Sequence, residues 1–240
     1  IIPSRLSATR LPGKPLLKIN GLSIISHVVR KAKKADIGEV YVATEDEEII
    51  DDVSKNGGQA ILTNNDHKTG TDRVYEALTK IGIPNVELIM NLQGDEPLMN
   101  IEDIRNLHNQ MIKTKSKLGT LASKIEDKNL LEEESVVKVL TKESFVNSQF
   151  PEAINFMRKS SNHSDNIYHH LGIYCYQLET LKKFVSLDQS VNEIKNRLEQ
   201  LRALDNKIKI NVCLAKESPI GVDTEKDYLA IKKIMEYKSK

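Results

Sequence analysis

The sequence predicts an α/β protein with a Rossmann-like, mixed but mostly parallel sheet flanked by helices. Three observations carry this. Short β-rich runs alternate with runs of helical period through the first half of the chain. Polar turns rich in Gly, Pro, Asp and Asn follow several of those strands, where open α/β sheets place their ligands. Beyond about residue 115 several strand-like runs crowd together, which adds antiparallel or mixed pairing to the sheet.

In chain order, "IIP" is the end of a first strand, and the basic stretch "SRLSATRLPGKP" is the loop that leaves it. A helix is expected over 23–36, then the strand "EVYVAT" (39–44), a helix over 46–55 and the strand "QAILT" (59–63). The next helix, 71–82, sets Val74, Ala77, Leu78 and Ile81 on one stripe, and Thr69 with Asp72 has the spacing of a capping box. "ELIMNL" (87–92) is a strand and 101–114 a helix. "GTLASKI", "SVVKVLTK", "AINFMRK", "NIYHHLGIYCYQ" and "KIKINVCLA" read as strands. A helix at about 193–205 has Ile194, Leu198 and Leu201 as its core stripe, leaving Asn196, Glu199 and Gln200 on another face. A terminal helix follows Asp223 and frays at "MEYKSK". With no repeat, low-complexity tract or linker, the expectation is a single domain over 1–240.

Composition narrows the function classes. Of 240 residues, 39% are hydrophobic and 29% charged, ordinary values for a soluble globular protein. A net charge of +1 gives no global field for nucleic acid or a membrane surface, so anion recognition must be local. No apolar run approaches the about 20 residues of a membrane span, and no secretory signal peptide is seen, so a cytoplasmic protein without membrane insertion is expected. Cys175 and Cys213 lie in apolar alternating runs and read as buried free thiols. The chain opens on Ile1, and a few residues are expected to precede it.

Three turns carry candidate chemistry. In the first, Arg5, Arg10 and Lys14 are threaded between Ser, Thr, Pro and Gly; Gly13 permits a tight turn, Arg10 offers a planar fork and Lys14 a point charge for phosphate. The spacing is neither a Walker loop nor a dinucleotide fingerprint, and a merely solvated basic loop fits it too. In the second, "NLQGDEP", Gln93, Gly94, Asp95 and Glu96 follow a strand at once; ordinary turn chemistry is the alternative. In the third, "SPIGVDTEKDY", Asp223 stands before the last helix, where capping is the alternative. Two phosphate-gripping cations and two separated turn aspartates are explained economically by a nucleotide with Mg²⁺, which one or two carboxylates hold while phosphate oxygens complete the octahedron.

"IIPSRLSATRLPGKPL", "DHKTGTDR", "NLQGDEPLM", "HHLGIYCY", "LEQLRAL" and "GVDT" stand in the order and at about the spacing of one family. Along essentially its whole length the chain resembles the 3-deoxy-manno-octulosonate (Kdo) cytidylyltransferases of Gram-negative lipopolysaccharide synthesis. The resemblance implies transfer of CMP from CTP to the anomeric hydroxyl of Kdo, with pyrophosphate released. It divides the domain into a nucleotide-binding part at about 1–120, a sugar-binding and dimerisation part at about 121–215, and a metal-ligand turn with the terminal helix at 216–240.

By the same resemblance, Arg10 and Lys14 hold the triphosphate, and Asp95 and Asp223 hold Mg²⁺. His67, Thr71, Arg73 and Gln93 line the nucleotide side, and the backbone amides of Ser7 and Ala8 contribute to cytosine recognition. His169 and His170 are adjacent on a strand and point to opposite faces, which argues against one shared metal ion. His170 and Tyr174 are implied to line the sugar pocket, Glu199 and Gln200 to bind sugar hydroxyls, and Arg158 to meet the Kdo carboxylate. The family pattern is altered at Met157, at "KSSNH" after Arg158, and at Asn196, where an acidic residue is usual. A homodimer is implied, with "NIYHHLGIYCYQ" as the surface against its twofold mate. Transfer to a sialic-type or amino-substituted sugar acid, and a non-catalytic nucleotide-binding regulator, are the alternative functions.

Overall fold

The computed structural model describes residues 1–7, 9–160 and 164–237. The chain packs as two compact units, one comprising Ile1–Asn85, Asn91–Ile101 and Pro219–Lys240, the other Val86–Met90 and Glu102–Ser218.

The first unit opens with strand β1 (Ile2–Pro3) and the basic loop. Gly13, at φ 72, turns that loop into one 3-10 turn at Lys14–Leu16, a backbone position that suits a residue without Cβ. Strands β2 (Lys18–Ile19) and β3 (Leu22–Ser23) form a small antiparallel hairpin on Asn20-Gly21, both residues at positive φ. The sequence reading passed over this hairpin, although Asn-Gly is the strongest short-range hairpin signal.

Helix α1 (Ile24–Ala35) starts where Ser23 Oγ accepts from Ser26 N at 3.2 Å, and it buries Ile24, Ile25, Val28 and Val29. Strand β4 (Val42–Thr44), helix α2 (Glu47–Lys55) and strand β5 (Ala60–Leu62) complete a parallel sheet in the order β1-β4-β5, with Ile2 opposite Val42 and Ala43 opposite Ile61. Helix α3 (Gly70–Ile81) carries the expected capping box: Thr69 Oγ1 accepts from Asp72 N, and Asp72 Oδ2 accepts from Thr69 N at 3.1 Å.

Most of strand β6 (Leu88–Asn91) and helix α4 (Ile101–Thr114) belongs to the second unit. They are followed by β7 (Leu118–Ser123), β8 (Lys138–Thr141), β9 (Ala153–Met157) and β10 (Ile167–Gln177). Helices α5 (Leu178–Val185), α6 (Val191–Asn196) and α7 (Leu201–Asp205) lead to β11 (Asn211–Leu214). The sheet runs β11-β7-β10-β8-β9, with β6 also paired to β10. β10 is antiparallel to β7 and β8, β9 is antiparallel to β8, and β11 is parallel to β7. The mixed pairing expected after residue 115 is what forms. α4 packs Leu107 and Met111 onto Gly119 of β7, which groups it with this unit.

Two expectations are corrected here. The single helix over 193–205 is two short ones, because Arg197 turns left-handed at φ 53 and Leu198 N closes on Glu193 O. The break leaves Ile194 61% exposed rather than in the core, while Leu198, Leu201 and Gln200 are buried. The apolar run of β10 is not a surface strand: it lies inside the sheet between β7 and β8, and its side chains are spent on this unit's own core.

The chain ends on α8 (Glu225–Tyr237), which returns to the first unit and packs Ile231 with Ile19, Ile24 and Val222. Cys175 and Cys213 are the buried free thiols the sequence suggested, and burial pushes the pKa of each up to about 12. Among the described residues no helix is long and apolar enough to cross a membrane.

Candidate active site

The parallel strands of the first unit end at a cavity of about 410 Å³. Gly94 determines how tightly the "QGDE" turn approaches β1: a Cβ there would lie 2.9 Å from the Pro3 carbonyl oxygen and 3.4 Å from Ser4 Cβ. With no Cβ, the turn closes onto the start of the basic loop and aims Asp95 at Lys14. Val222 N donates to Asp95 O at 2.9 Å, which ties the "GVDT" turn to the same point.

Lys14 is the hub. Its ammonium donates to Asp95 Oδ2 at 2.6 Å, to the Val222 carbonyl at 2.8 Å and to Asp223 Oδ1 at 3.2 Å. Arg10 reaches the other oxygen of Asp223 at 3.1 Å from a position 63% exposed. Glu96 lies behind them with Oε2 buried and unpartnered among the described residues. Burial first, then the charges of Asp95 and Asp223, push its pKa up to about 8. Near neutral pH Glu96 is therefore held uncharged, and the charged carboxylates Asp95 and Asp223 face Lys14 and Arg10.

Two hard carboxylates that already converge on one cation fit Mg²⁺ as a donor set. No group of three or more His, Cys, Asp or Glu side chains suited to a metal occurs among the described residues, so an ion held by these two carboxylates would need phosphate or water for its other ligands.

The opposite wall of the cavity is built from α3 and the loop before it. Arg73, 4% exposed, is held by Glu45, by Thr63 Oγ1 at 2.6 Å and by the Asn64 carbonyl. His67 Nε2 pairs with Glu76, which also takes Lys80 and the Asn64 amide. Arg5, Gln93, Thr69 and Gly70 line the same space.

Of the nucleotide-side expectations, Arg10, Lys14, His67, Arg73, Gln93, Asp95 and Asp223 therefore meet around one cavity. Thr71 does not line it: its side chain is fully buried beside Asn91. Ser7 is exposed and outside the lining, and Ala8 lies outside the described residues. Glu45 and Glu76 were missed. Glu45 and Asp46 directly after β4 were the available signal for the first, since they put acids at a strand's carboxyl end, and Lys80, four residues beyond Glu76 on the same helix, was the signal for the second.

A cytidylyltransferase family model matches residues 1–210. A 3-deoxy-manno-octulosonate cytidylyltransferase of Nitrobacter hamburgensis is 40% identical over 237 residues, 98% of this chain and 91% of that one. The one from Bartonella tribocorum is 39% identical over 98% of this chain and 97% of its own. The chain belongs to the 3-deoxy-manno-octulosonate cytidylyltransferase family. A solved structure of CMP:2-keto-3-deoxy-manno-octonic acid synthetase complexed with CTP superposes with a TM-score of 0.89 at 34% identity, covering 99% of this chain and 97% of that one. A 4-diphosphocytidyl-2C-methyl-D-erythritol synthase from Anaerococcus prevotii, 17% identical with a TM-score of 0.63 and 98% of each chain covered, shares the fold.

In this cytidylyltransferase the sugar-side expectations all fall in the second unit. His170 is buried, packs against Phe156 and Tyr174 at 4.9 and 5.5 Å, and lies 3.0 Å from Thr120 Oγ1. Thr120 directs its one hydroxyl hydrogen to the Ile173 carbonyl at 2.8 Å, so the imidazole Nε2 is the donor. Burial, with a smaller push from His169, lowers its pKa to about 3. His169 turns away, to Ser218 at 2.7 Å, as strand alternation requires. Burial, with Tyr176 and Glu199 nearby, raises the Tyr174 phenol well above its usual range. Gln200 is buried at the start of α7. Arg158 is engaged: Nε donates to Asn196 O at 2.8 Å, and its terminal nitrogens donate to Arg197 O at 2.9 Å and Glu134 O at 3.1 Å. It closes the carboxyl end of α6, and two of its five N–H groups remain.

Proposed function

We propose that the chain transfers CMP from CTP to the anomeric hydroxyl of Kdo, giving CMP-Kdo and pyrophosphate for lipopolysaccharide synthesis. The observation that carries this reading is the Lys14–Asp95–Asp223 cluster beside Arg10, lining a cavity of about 410 Å³, in a chain of this family. In the reaction the sugar oxygen forms a bond to the α-phosphorus, the bond from that phosphorus to the β-phosphate bridging oxygen breaks, and the hydroxyl proton leaves to solvent. Such transfer needs positioning and charge neutralisation more than covalent help.

Arg10 and Lys14 orient the triphosphate and neutralise charge on the departing pyrophosphate. Lys14 exchanges its carboxylate partners for phosphate oxygens as the substrate enters. Asp95 and Asp223 would hold Mg²⁺, which would supply Lewis-acid polarisation of the phosphate and of the attacking hydroxyl. Arg73 and His67, each fixed by a carboxylate, bind and orient from the far wall with Gln93. In the second unit Glu199 and Gln200 bind sugar hydroxyls beside Tyr174 and His170, and the two remaining N–H groups of Arg158 meet the sugar carboxylate. We place the enzyme in the cytosol, as a homodimer that light scattering at micromolar concentration reads as twice the chain mass.

Pyrophosphate release with CTP and Mg²⁺ tests the function. Kdo is expected to start release. Release with a sialic-type acid but not Kdo moves the activity to another sugar, and none with either returns the chain to a nucleotide binder.

A further inference from the structure

A hollow of about 560 Å³ in the second unit, distinct from the cavity above, is lined by Lys115, Lys117, Lys183, Lys207 and Lys209 against one acid, Glu179. The chain as a whole carries only +1, so this excess is local. Glu179 is already matched by Lys182, 2.8 Å away and outside the lining, and Lys209 by Glu152 at 3.0 Å. Among the described residues no ion pair holds Lys115, Lys117, Lys183 or Lys207.

The backbone contributes as well. Lys115 and Lys207 stand at φ 55 and 58, a left-handed region that residues with a Cβ seldom adopt. They follow α4 and α7, and two helix carboxyl ends at about −0.5 charge each offset about one ammonium of the set. α5 has no side-chain cap; Gln177, at its start, donates instead to the Lys115 carbonyl at 3.1 Å, holding that rim in place. No aromatic side chain lines the hollow, so nothing there stacks on a base or a sugar ring.

We propose that this hollow is a second anion site, taking a small soluble molecule with clustered phosphates. Four unpaired ammonium groups on three separate chain segments converge on one concave space, and point charges without aromatic faces recognise phosphate rather than the group that bears it. The concavity selects a small ligand over a flat lipid surface.

The test is calorimetric titration of the full chain with inorganic triphosphate, at low and high salt. Because Arg10 and Lys14 also meet phosphate, Lys183→Gln/Lys207→Gln is compared with Lys14→Ala. All these hollow-lining lysines are exposed, so the double variant folds. Two triphosphate sites are expected in the wild type. The double variant should weaken one of them by roughly tenfold or more while pyrophosphate release from CTP and Kdo persists, and salt should weaken it steeply. A single class of site, removed by Lys14→Ala and indifferent to the double variant, overturns the proposal. So does lysine-dependent sedimentation with phosphatidylglycerol vesicles in the absence of triphosphate binding, which would make the hollow a lipid-facing patch.

Discussion

Glu193 and Arg202 in the second unit are 3% and 2% exposed, joined by two hydrogen bonds of 2.8 and 2.6 Å, with the guanidinium 4.7 Å over the Phe184 ring. In the first unit Asp223 is 45% exposed, and Lys14 divides one ammonium among two carboxylates and a carbonyl. Both regions are ion pairs, yet they do different work. The sealed pair is matched one to one, and Glu193 also completes the capping box that starts α6. The open cluster shares Asp95 and Asp223 between Lys14 and Arg10, and water reaches it, with Arg10 63% and Asp223 45% exposed. A dry pair matched one to one holds a fold; a wet cluster that shares its partners is ready to change them.

The comparison breaks first at the sealed pair. Glu193→Ala strands a buried guanidinium and should cost about 3–5 kcal/mol of folding stability, read by urea unfolding, with CTP affinity per folded molecule unchanged. Loss of CTP binding without loss of stability would reverse the assignment. Next is Lys14→Ala, expected to lower turnover on the order of 10²-fold. It also leaves Asp95 and Asp223 repelling each other, so its melting temperature should fall modestly and recover when Mg²⁺ is added; a melt indifferent to Mg²⁺ would count against the carboxylates as its ligands.

The smallest effect is in pH. Burial pushes the Glu76 carboxyl up, but Lys80, the Asn64 amide and His67 outweigh it and bring the pKa from 4.5 to about 2. A carboxyl lowered by folding stabilises above its unfolded pKa, so this contribution is whole above about 4.5 and is lost as pH falls towards about 2. Glu76→Gln should flatten the acid limb of the stability profile in that window. An unchanged limb would mean that the His67 wall is not held by this charge.

Much of this was legible in the sequence, for reasons that differ by residue. α3 was readable because its capping box and its apolar period are local signals, and the strands of the second unit because β-branched runs are. The Lys14–Asp95–Asp223 meeting was suggested by turn chemistry and resemblance, but the bond itself joins residues 81 and 209 positions apart. Arg197 broke an expected helix because a left-handed non-glycine residue leaves no mark in the apolar pattern. Arg158 was expected to meet the Kdo carboxylate, and its three carbonyl partners lie 24, 38 and 39 residues away, beyond any local rule.

The central claim, that the open cluster performs chemistry while the sealed one holds structure, is tested most directly by Asp223→Asn, with turnover and melting temperature measured on the same sample. Pyrophosphate release should fall 10²-fold or more while the melting temperature stays at the wild-type value, because Asn keeps the size of the side chain, its oxygen still accepts from Lys14, and the acceptor it loses faces the exposed Arg10. Near-wild-type release at saturating Mg²⁺, or a loss no larger than the fraction unfolded, would contradict it.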